Sequence, residues 1–134
     1  MVERSRVRGV LLRYGWLLPF YWALSQGASS VSGVARLLGV SRRVASSGVY
    51  YLVRLGLASK GGDGGFRLAG EPIVEVRRKG RLFAAVIGDA VVVAKVRGRS
   101  VKSYTVPLRD VENPPPGGRR GYRARVARYA LGLE

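Results

Sequence analysis

The order of apolar and polar positions predicts helices in the first half of the chain and strands in the second. The most apolar stretch, residues 10–24, contains Arg13 and Pro19 and is short for a bilayer span. We expect a helix that Pro19 kinks or restarts near Trp16. A helix that is apolar on nearly all sides must be buried on nearly all sides. In so small a protein this predicts cover from a second subunit, and therefore a homodimer.

Export is the alternative interpretation of this stretch, because the arginines that precede it resemble the start of a signal peptide; these are Arg4, Arg6 and Arg8. The interruptions at Arg13 and Pro19, and the lack of a clean small-residue cleavage site, disfavour it. We therefore predict a protein that neither enters nor binds a membrane.

A helix with clear ends is predicted between Ser30 and Gly39. Ser30 is a suitable N-cap, and Gly39 supplies the left-handed residue that often follows the last turn of a helix. Apolar residues recur between them at helical spacing, at Val31, Val34, Ala35 and Leu38.

A second helix is predicted directly afterwards, with Ser41 as its N-cap and Gly56 at its close. Two short helices joined by Gly-Val-Ser form a helix-turn-helix motif. The inward stripe of the second helix contains Ala45, Val49 and Leu52. A second, fairly apolar stripe should pack on the N-terminal helix or on another element; it contains Val44, Gly48, Tyr51 and Leu55.

The face opposite the core stripe has the composition of a DNA-reading surface. No carboxylate occurs between Ser41 and Lys60, and outward arginine, serine and tyrosine side chains suit the major groove. Residues near the start of a recognition helix usually reach base edges, whereas later ones meet phosphates. We predict base contacts from Arg42, Arg43, Ser46 and Ser47, and backbone contacts from Tyr50 and Arg54. A solvated polar face of a helical hairpin is the alternative.

A β-hairpin is predicted in the residues that follow. Two short extended runs, 57–60 and 66–69, flank Gly-Gly-Asp-Gly-Gly, where glycine supplies the positive φ angles of a turn. Lys60 and Arg67 would lie on the two arms and reach phosphate or the minor groove. On composition alone, a flexible linker between domains is the alternative.

Residues about 16–70 resemble the winged helix-turn-helix domain of MarR-like and ArsR-like regulators. The resemblance is carried by VARLLGVSRRVASSGVYYLVRLGLASKGGDGGFRL, with an ungapped helix between Gly39 and Gly56 and a Gly-Leu pair ahead of the hairpin.

This resemblance implies a recognition helix at about 41–55, a wing at about 57–69 and double-stranded DNA as the ligand. Ala45 and Gly48 are smaller than is usual at the helix interface of the family. Metal sensing of the ArsR type is not implied, because the chain has no Cys or His.

From residue 73 the pattern changes to period two, with glycine-marked turns. The two middle runs are apolar on both faces and should be covered on both sides. This predicts an antiparallel meander with polar edges, whose strand candidates are residues 73–79, 81–87, 90–97 and 100–106. The meander could dimerise, bind an effector, or present a second nucleic-acid surface through Arg77, Arg78, Lys79, Arg81, Lys95, Arg97 and Arg99.

The prolines and glycines of residues 114–118 predict a linker. A short basic amphipathic helix is expected after it, ending near Gly132; a frayed tail is the alternative. The helix would lie along DNA or cover one face of the sheet, with an apolar stripe of Val126, Tyr129, Ala130 and Leu133.

Composition favours a polyanionic partner. The chain has 134 residues and a formal charge of +16, and arginine outnumbers lysine by 20 to 4. Self-repulsion at this charge lowers stability unless a polyanion offsets it, so nucleic acid is the first partner to consider. The absence of Cys and His excludes Cys/His zinc sites, disulfides and histidine-dependent catalysis. Scarce side-chain amides suggest a thermophilic source.

The best catalytic candidate is a segment similar to the core of PD-(D/E)XK nucleases, IGDAVVVAKVRGRS. Asp89 and Lys95 fit that pattern, but Val93 occupies the position of the second carboxylate. Magnesium held by one carboxylate is poorly held. We therefore predict binding rather than catalysis, with no cofactor and no metal.

Together these patterns predict an α+β chain. A winged helix-turn-helix with its N-terminal helix would occupy residues 1–70, and a small antiparallel β-meander with a short C-terminal helix or basic tail would occupy residues 71–134. The predicted function is sequence-specific binding of double-stranded DNA by a cytoplasmic, nucleoid-associated transcriptional regulator. The alternatives are a sequence-neutral architectural or chromatin protein, a degenerate DNA-processing nuclease, and an RNA-binding module that uses the basic sheet.

Overall fold

The structure, a computed structural model, describes residues 4–134. It confirms the predicted α+β class: helices fill the first half, and antiparallel strands and a terminal helix fill the second. The first half contains α1 (Arg4–Arg13), a 3-10 turn (Gly15–Leu17), α2 (Leu18–Ser25), α3 (Val31–Leu38) and α4 (Arg42–Arg54). The second contains strands β1 (Ala58–Lys60), β2 (Phe66–Leu68), β3 (Arg77–Lys79), β4 (Leu82–Ile87), β5 (Ala90–Arg97) and β6 (Ser100–Pro107), then helices α5 (Leu108–Glu112) and α6 (Gly118–Ala130).

The first apolar stretch restarts as a new helix at Pro19. Helix α1 ends at Arg13, the 3-10 turn follows, and Pro19 lies in the first turn of α2, where a missing backbone N–H breaks no helical hydrogen bond. The restart predicted near Trp16 is confirmed. Helix α2 is covered within the chain by α3, α4, β2 and the strands β4 and β5. The prediction that a second subunit covers this stretch is wrong, because the sheet supplies the cover.

Helices α3 and α4 have the predicted ends. The hydroxyls of Ser30 and Ser41 accept hydrogen bonds from backbone N–H groups in the first turn, at 2.9 and 3.2 Å. Gly39 is left-handed, with φ of 70°, and lets the chain turn sharply between the two helices. The predicted inward stripe of α4 is fully buried; it contains Ala45, Val49 and Leu52.

Two antiparallel sheets follow. Strands β1 and β2 form the predicted hairpin, and β3, β4, β5 and β6 form a meander in chain order. Strand β5 has the predicted bounds, but the first strand candidate, residues 73–79, is wrong over residues 73–76. There the backbone N–H of Ile73 donates to the Tyr21 hydroxyl at 3.1 Å, and Val74 is buried in the core. These apolar residues bind the helices instead of pairing with β4.

The meander lies between two helical layers. One face, which includes Phe83 and Val92, packs on α2 and the 3-10 turn, and the other, which includes Val93, packs on α6. The first contact is close: a Cβ added at Gly15 would lie 2.8 Å from Cγ1 of Val92. One hydrophobic core therefore contains residues from both sides of the predicted division at residue 70.

Helix α6 confirms the C-terminal helix, but its buried face matches the predicted stripe only in part. Ala130 is buried and Val126 packs against the same cluster, whereas Tyr129 is 49% exposed and Leu133 55% exposed, so the prediction is wrong at these two residues. The buried face consists of small residues instead, Gly121, Ala124, Ala127 and Ala130. The three alanines let the helix backbone approach the sheet closely. Gly121 instead lies against the backbone of Pro115, whose carbonyl oxygen would be 2.6 Å from an added Cβ.

Candidate nucleic-acid interface

Helix α4 is fixed at both of its ends. At the start, Ser41 donates its backbone N–H to the carbonyl of Gly98, in the β5–β6 turn, at 2.7 Å. At the other end the guanidinium of Arg6 donates to the carbonyl of Leu55 at 3.1 Å. The two contacts tie α4 to the large sheet and to α1, so its outer face has a defined position.

The second apolar stripe of α4 packs on the N-terminal elements, as predicted. The ring of Tyr51 contacts those of Tyr14 and Trp16, with centroid distances of 5.8 and 5.3 Å. A Cβ added at Gly48 would lie 2.4 Å from ring atoms of Phe20. Gly48 is small, therefore, because Phe20 occupies the space that a side chain would fill.

The outer face of α4 carries the residues that the sequence predicts for DNA. Five of them are exposed: Arg42, Arg43, Ser47, Tyr50 and Arg54. Ser46 is half-buried at the edge of the face. Lys60 and Arg67, on the two strands of the hairpin, are exposed as well. We call these eight residues the α4 surface.

Tyr50 joins α4 to the hairpin. Its ring meets the ring of Phe66 edge to face at 5.2 Å, and its hydroxyl accepts a hydrogen bond from Nζ of Lys60 at 3.3 Å. The ammonium of Lys60 also lies 5.7 Å from the ring centroid of Tyr50 and 5.6 Å from that of Phe66. Tyr50 therefore fixes the position of the hairpin relative to the helix, a positioning role that its place in the sequence does not reveal.

The tip of the hairpin is ordered by Asp63. Its carboxylate accepts the backbone N–H of Gly65 at 2.9 Å, which is an Asx-type turn. Arg67 lies 4.0 Å from the same carboxylate, and both side chains are largely exposed. An exposed pair at this distance contributes little to stability, so Arg67 can exchange Asp63 for a phosphate at small cost.

The β5–β6 turn adds two cations that sequence analysis assigned to a different surface. Gly98 accepts the backbone N–H of Ser41, so the exposed Arg97 and Arg99 flank the residue that contacts the start of α4. No local pattern indicates this contact, because it joins residues far apart in the chain.

Charge is distributed unevenly along the sheet. Glu75 and Glu112 line one cleft together with Arg77, and Asp89 and Glu112 line the next together with Arg109. Both clefts, where the two signs of charge are mixed, lie at the end of the sheet that carries the β4–β5 turn. The opposite end carries the β3–β4 and β5–β6 turns and touches α4. There the exposed side chains include Arg81, Lys95, Arg97, Arg99 and Lys102. This end of the sheet is therefore strongly basic. Lys95 and Lys102 lie on the face that packs on α6, and the β5–β6 turn contacts the start of α4.

Several cations predicted for nucleic acid have partners within the chain. The guanidinium of Arg78 donates to the carbonyl of Leu37 at 3.1 Å and lies 5.0 Å from the ring centroid of Trp22. Arg77 is paired with Glu75 at 3.0 Å. Arg78 therefore joins the sheet to the end of α3, and these two residues contribute less to a nucleic-acid surface than the sequence suggests.

The most buried carboxylate has a structural partner. Asp110 is 3% exposed, and both of its oxygens accept hydrogen bonds from the guanidinium of Arg120 at 2.7 Å. These hydrogen bonds hold the pKa of Asp110 below its ordinary value. Burial raises the pKa of the Tyr104 hydroxyl, and the nearby Arg123 opposes that rise.

The nuclease-like residues do not come together. Asp89 lies in the β4–β5 turn and Lys95 lies six positions later on β5, so the extended strand separates them by roughly 20 Å. Within residues 4–134 no group of three or more acidic side chains has the spacing to hold a metal ion. The geometry gives no support to a PD-(D/E)XK site at this pair.

None of the helices described in residues 4–134 is long and apolar enough to cross a bilayer. Comparison of the chain with protein-family models, with curated proteins and with solved structures finds no match.

Proposed function

We propose that the protein binds double-stranded DNA as a winged helix-turn-helix regulator, with α4 in the major groove and the β1–β2 hairpin on the backbone. The observation that carries the proposal is the outer face of α4: it is exposed, rich in arginine and hydroxyl groups, and free of carboxylates over residues 41–60. A surface of this kind can donate to base edges and phosphates without repelling them.

The rigid attachments of α4 support the same function. A recognition helix must hold its side chains in register with the base pairs. The Ser41–Gly98 contact and the Lys60–Tyr50 hydrogen bond fix the helix and the hairpin relative to the sheet. In this proposal the exposed Arg97 and Arg99, which flank Gly98, add phosphate contacts near the start of the helix.

A sequence-neutral architectural protein is the second candidate. It is favoured by the basic end of the sheet, where exposed cations extend beyond the α4 surface. Binding that depends on these cations alone would be set by counterion release and would show no preference among sequences.

Binding-site selection on random duplexes at a fixed moderate salt concentration tests the proposal. In the proposed geometry Arg43→Ala relaxes the preference at one base position, at a cost of about 1–3 kcal/mol. Arg54 would contact the DNA backbone, so Arg54→Ala weakens binding to all sequences equally. It also lowers the magnitude of the slope of log K against log salt by about 1. Arg109→Ala is the matched control and should change neither, because Arg109 is exposed and lies beside Asp89 at the opposite end of the sheet.

Equal affinity of the wild type for unrelated duplexes would contradict sequence-specific reading and favour the architectural candidate. Dimerisation stays a prediction. Burial of α2 does not require a second subunit, because α2 is covered within one chain. Palindromic selected sites, with half-sites one helical turn apart, would indicate a dimer.

A further inference from the structure

A row of lysines crosses the large sheet on the side that faces α6. Leu82 pairs with Lys79 on β3 and with Lys95 on β5, and Lys95 pairs with Lys102 on β6. Three of the four lysines in the chain therefore lie at one level of the sheet. Adjacent strands are about 4.8 Å apart, so the row spans roughly 14 Å.

Lys95 and Lys102 repel one another in the free protein. They are directly opposite on neighbouring strands and both are exposed, and like charges in that position destabilise a sheet. Across residues 4–134 the carboxylates that form ion pairs do so with Arg67, Arg77, Arg120 and Arg128, and not with these lysines. A bound polyanion would offset this repulsion.

Two exposed tyrosines lie on the helix that packs on this sheet face, and one of them contacts the row. Helix α6 covers part of the same sheet face, and its outer side carries Tyr122, 64% exposed, and Tyr129, 49% exposed. The ammonium of Lys79 lies 4.3 Å from the ring centroid of Tyr129. Arg125, three residues after Tyr122, is exposed on the same side of the helix.

This surface is separate from the α4 surface. Helix α4 packs on α2 and on the 3-10 turn, which in turn pack on one face of the meander. The lysine row and α6 are on the other face. The outer side of α4 and the outer side of α6 therefore point away from one another, with the sheet between them.

We propose that the surface formed by Lys79, Lys95, Lys102, Tyr122, Arg125 and Tyr129, which we call the sheet platform, binds single-stranded nucleic acid. The lysines bind the phosphates and the tyrosines stack on bases. Basic grooves with exposed aromatic rings bind single strands in this way. In a duplex the bases are already stacked on one another, so the exposed tyrosine rings would gain no stacking energy by binding it. The proposal goes beyond duplex binding by α4 and does not depend on it.

Fluorescence anisotropy with a labelled 12-nucleotide oligothymidylate and a labelled duplex tests the sheet platform. Lys95→Gln/Lys102→Gln should weaken binding of the single strand at least tenfold. It should also lower the magnitude of the slope of log K against log salt by about 1.4. Tyr122→Leu/Tyr129→Leu should also weaken binding of the single strand at least tenfold, since stacking contributes about 1–3 kcal/mol per base. The tyrosine variant should leave the salt slope unchanged, a readout that general damage to the fold would not give.

The matched control removes two exposed arginines that belong to neither surface, Arg13→Gln/Arg109→Gln. It should bind the oligonucleotide within about twofold of wild type. Duplex affinity of the tyrosine variant should also stay within about twofold. Thermal unfolding checks the fold: relief of the lysine repulsion should leave the midpoint of the lysine variant at or above that of wild type.

Two results would overturn the sheet platform. One is a lysine variant that binds the oligonucleotide as well as the arginine control does. The other is a pair of observations: duplex displaces the oligonucleotide completely, and Arg43→Ala and Arg54→Ala each abolish binding of the oligonucleotide. Together these would place the single strand on the α4 surface. If the protein fails to bind duplex in a sequence-specific way, the effects of the lysine and tyrosine variants on oligonucleotide binding are still expected. The two proposals can therefore fail separately.

Discussion

Gly48 sets how closely α2 and α4 approach one another. The Phe20 ring lies against the backbone of Gly48, and a Cβ built there would be 2.4 Å from ring atoms. Both residues are fully buried, so the ring has no free volume to move into. The position of α4, and with it the direction of its outer face, depends on this contact.

Gly48→Ala should therefore destabilise the protein. Alanine in a helix interior is ordinarily favoured over glycine by up to about 1 kcal/mol, but here the added methyl group forces Phe20 off its rotamer, which costs about 1–3 kcal/mol. Chemical denaturation should show a lower free energy of unfolding. Adding Phe20→Leu should restore part of the loss, because the smaller side chain makes room.

Gly62→Ala is the matched control, because an added Cβ at Gly62 has no neighbour within 4 Å and its backbone is not left-handed. It should leave stability within about 0.5 kcal/mol of wild type. A Gly48→Ala protein as stable as this control would mean that the α2–α4 contact is looser than the structure shows.

The sequence predicts the elements whose signals are local. Helices α3 and α4 follow from Ser30, Gly39 and Ser41, which act on the backbone within a few residues. Strand β5 follows from its apolar run between two turns. Ala130 was predicted on the buried face of α6, but Gly121, Ala124 and Ala127 were missed because alanine and glycine carry little hydrophobic signal. Helix α5 was missed because five residues are too few for a periodic pattern.

Contacts between distant elements were beyond the reach of sequence patterns. The eight residues of the α4 surface could be named from helical periodicity and turn chemistry. The Ser41–Gly98 hydrogen bond and the stacking of Arg78 on Trp22 join residues that only the tertiary fold brings together. For the same reason the sequence could place cations on strands but could not separate those with internal partners from those facing solvent.

The docking of α6 should depend on pH through Asp110. Hydrogen bonds from Arg120 lower the pKa of Asp110 in the folded state, so the carboxylate adds stability above its unfolded pKa of about 3.9. That contribution is lost as the pH falls through the lower, folded pKa. Asp110→Asn should lower the thermal midpoint at neutral pH and reduce its fall between about pH 5 and pH 2.

Glu112→Gln is the control for this measurement, since Glu112 is exposed and lies two residues away on the same short helix. Its pH profile should follow that of wild type. If the Asp110→Asn and Glu112→Gln proteins lose equal amounts of stability at neutral pH, the Asp110–Arg120 pair does not anchor α6.

In the molecule as a whole, the helical layer and the sheet depend on each other. The rings of Trp22 and Phe83 meet at 5.5 Å, and Arg78 lies over both. Gly15 fits closely against Val92. Helix α2 and the 3-10 turn thus bury one side against α3 and α4 and the other side against the meander. Without the meander, the apolar residues of the 10–24 stretch would face water.

A fragment of residues 1–70 should therefore not fold as a cooperative unit, although it contains every element of the predicted DNA-binding motif. Burial of α2 on the sheet side is lost, and a chain of this length has little hydrophobic stabilisation in reserve. Denaturant unfolding followed by far-ultraviolet circular dichroism should give a broad transition for the fragment and a sharp one for the full chain. Tryptophan fluorescence of the fragment should already resemble that of the unfolded chain, because Trp22 loses both Phe83 and Arg78. A sharp transition with native-like fluorescence would instead show that the helices and the hairpin form an independent domain, to which the meander is only attached.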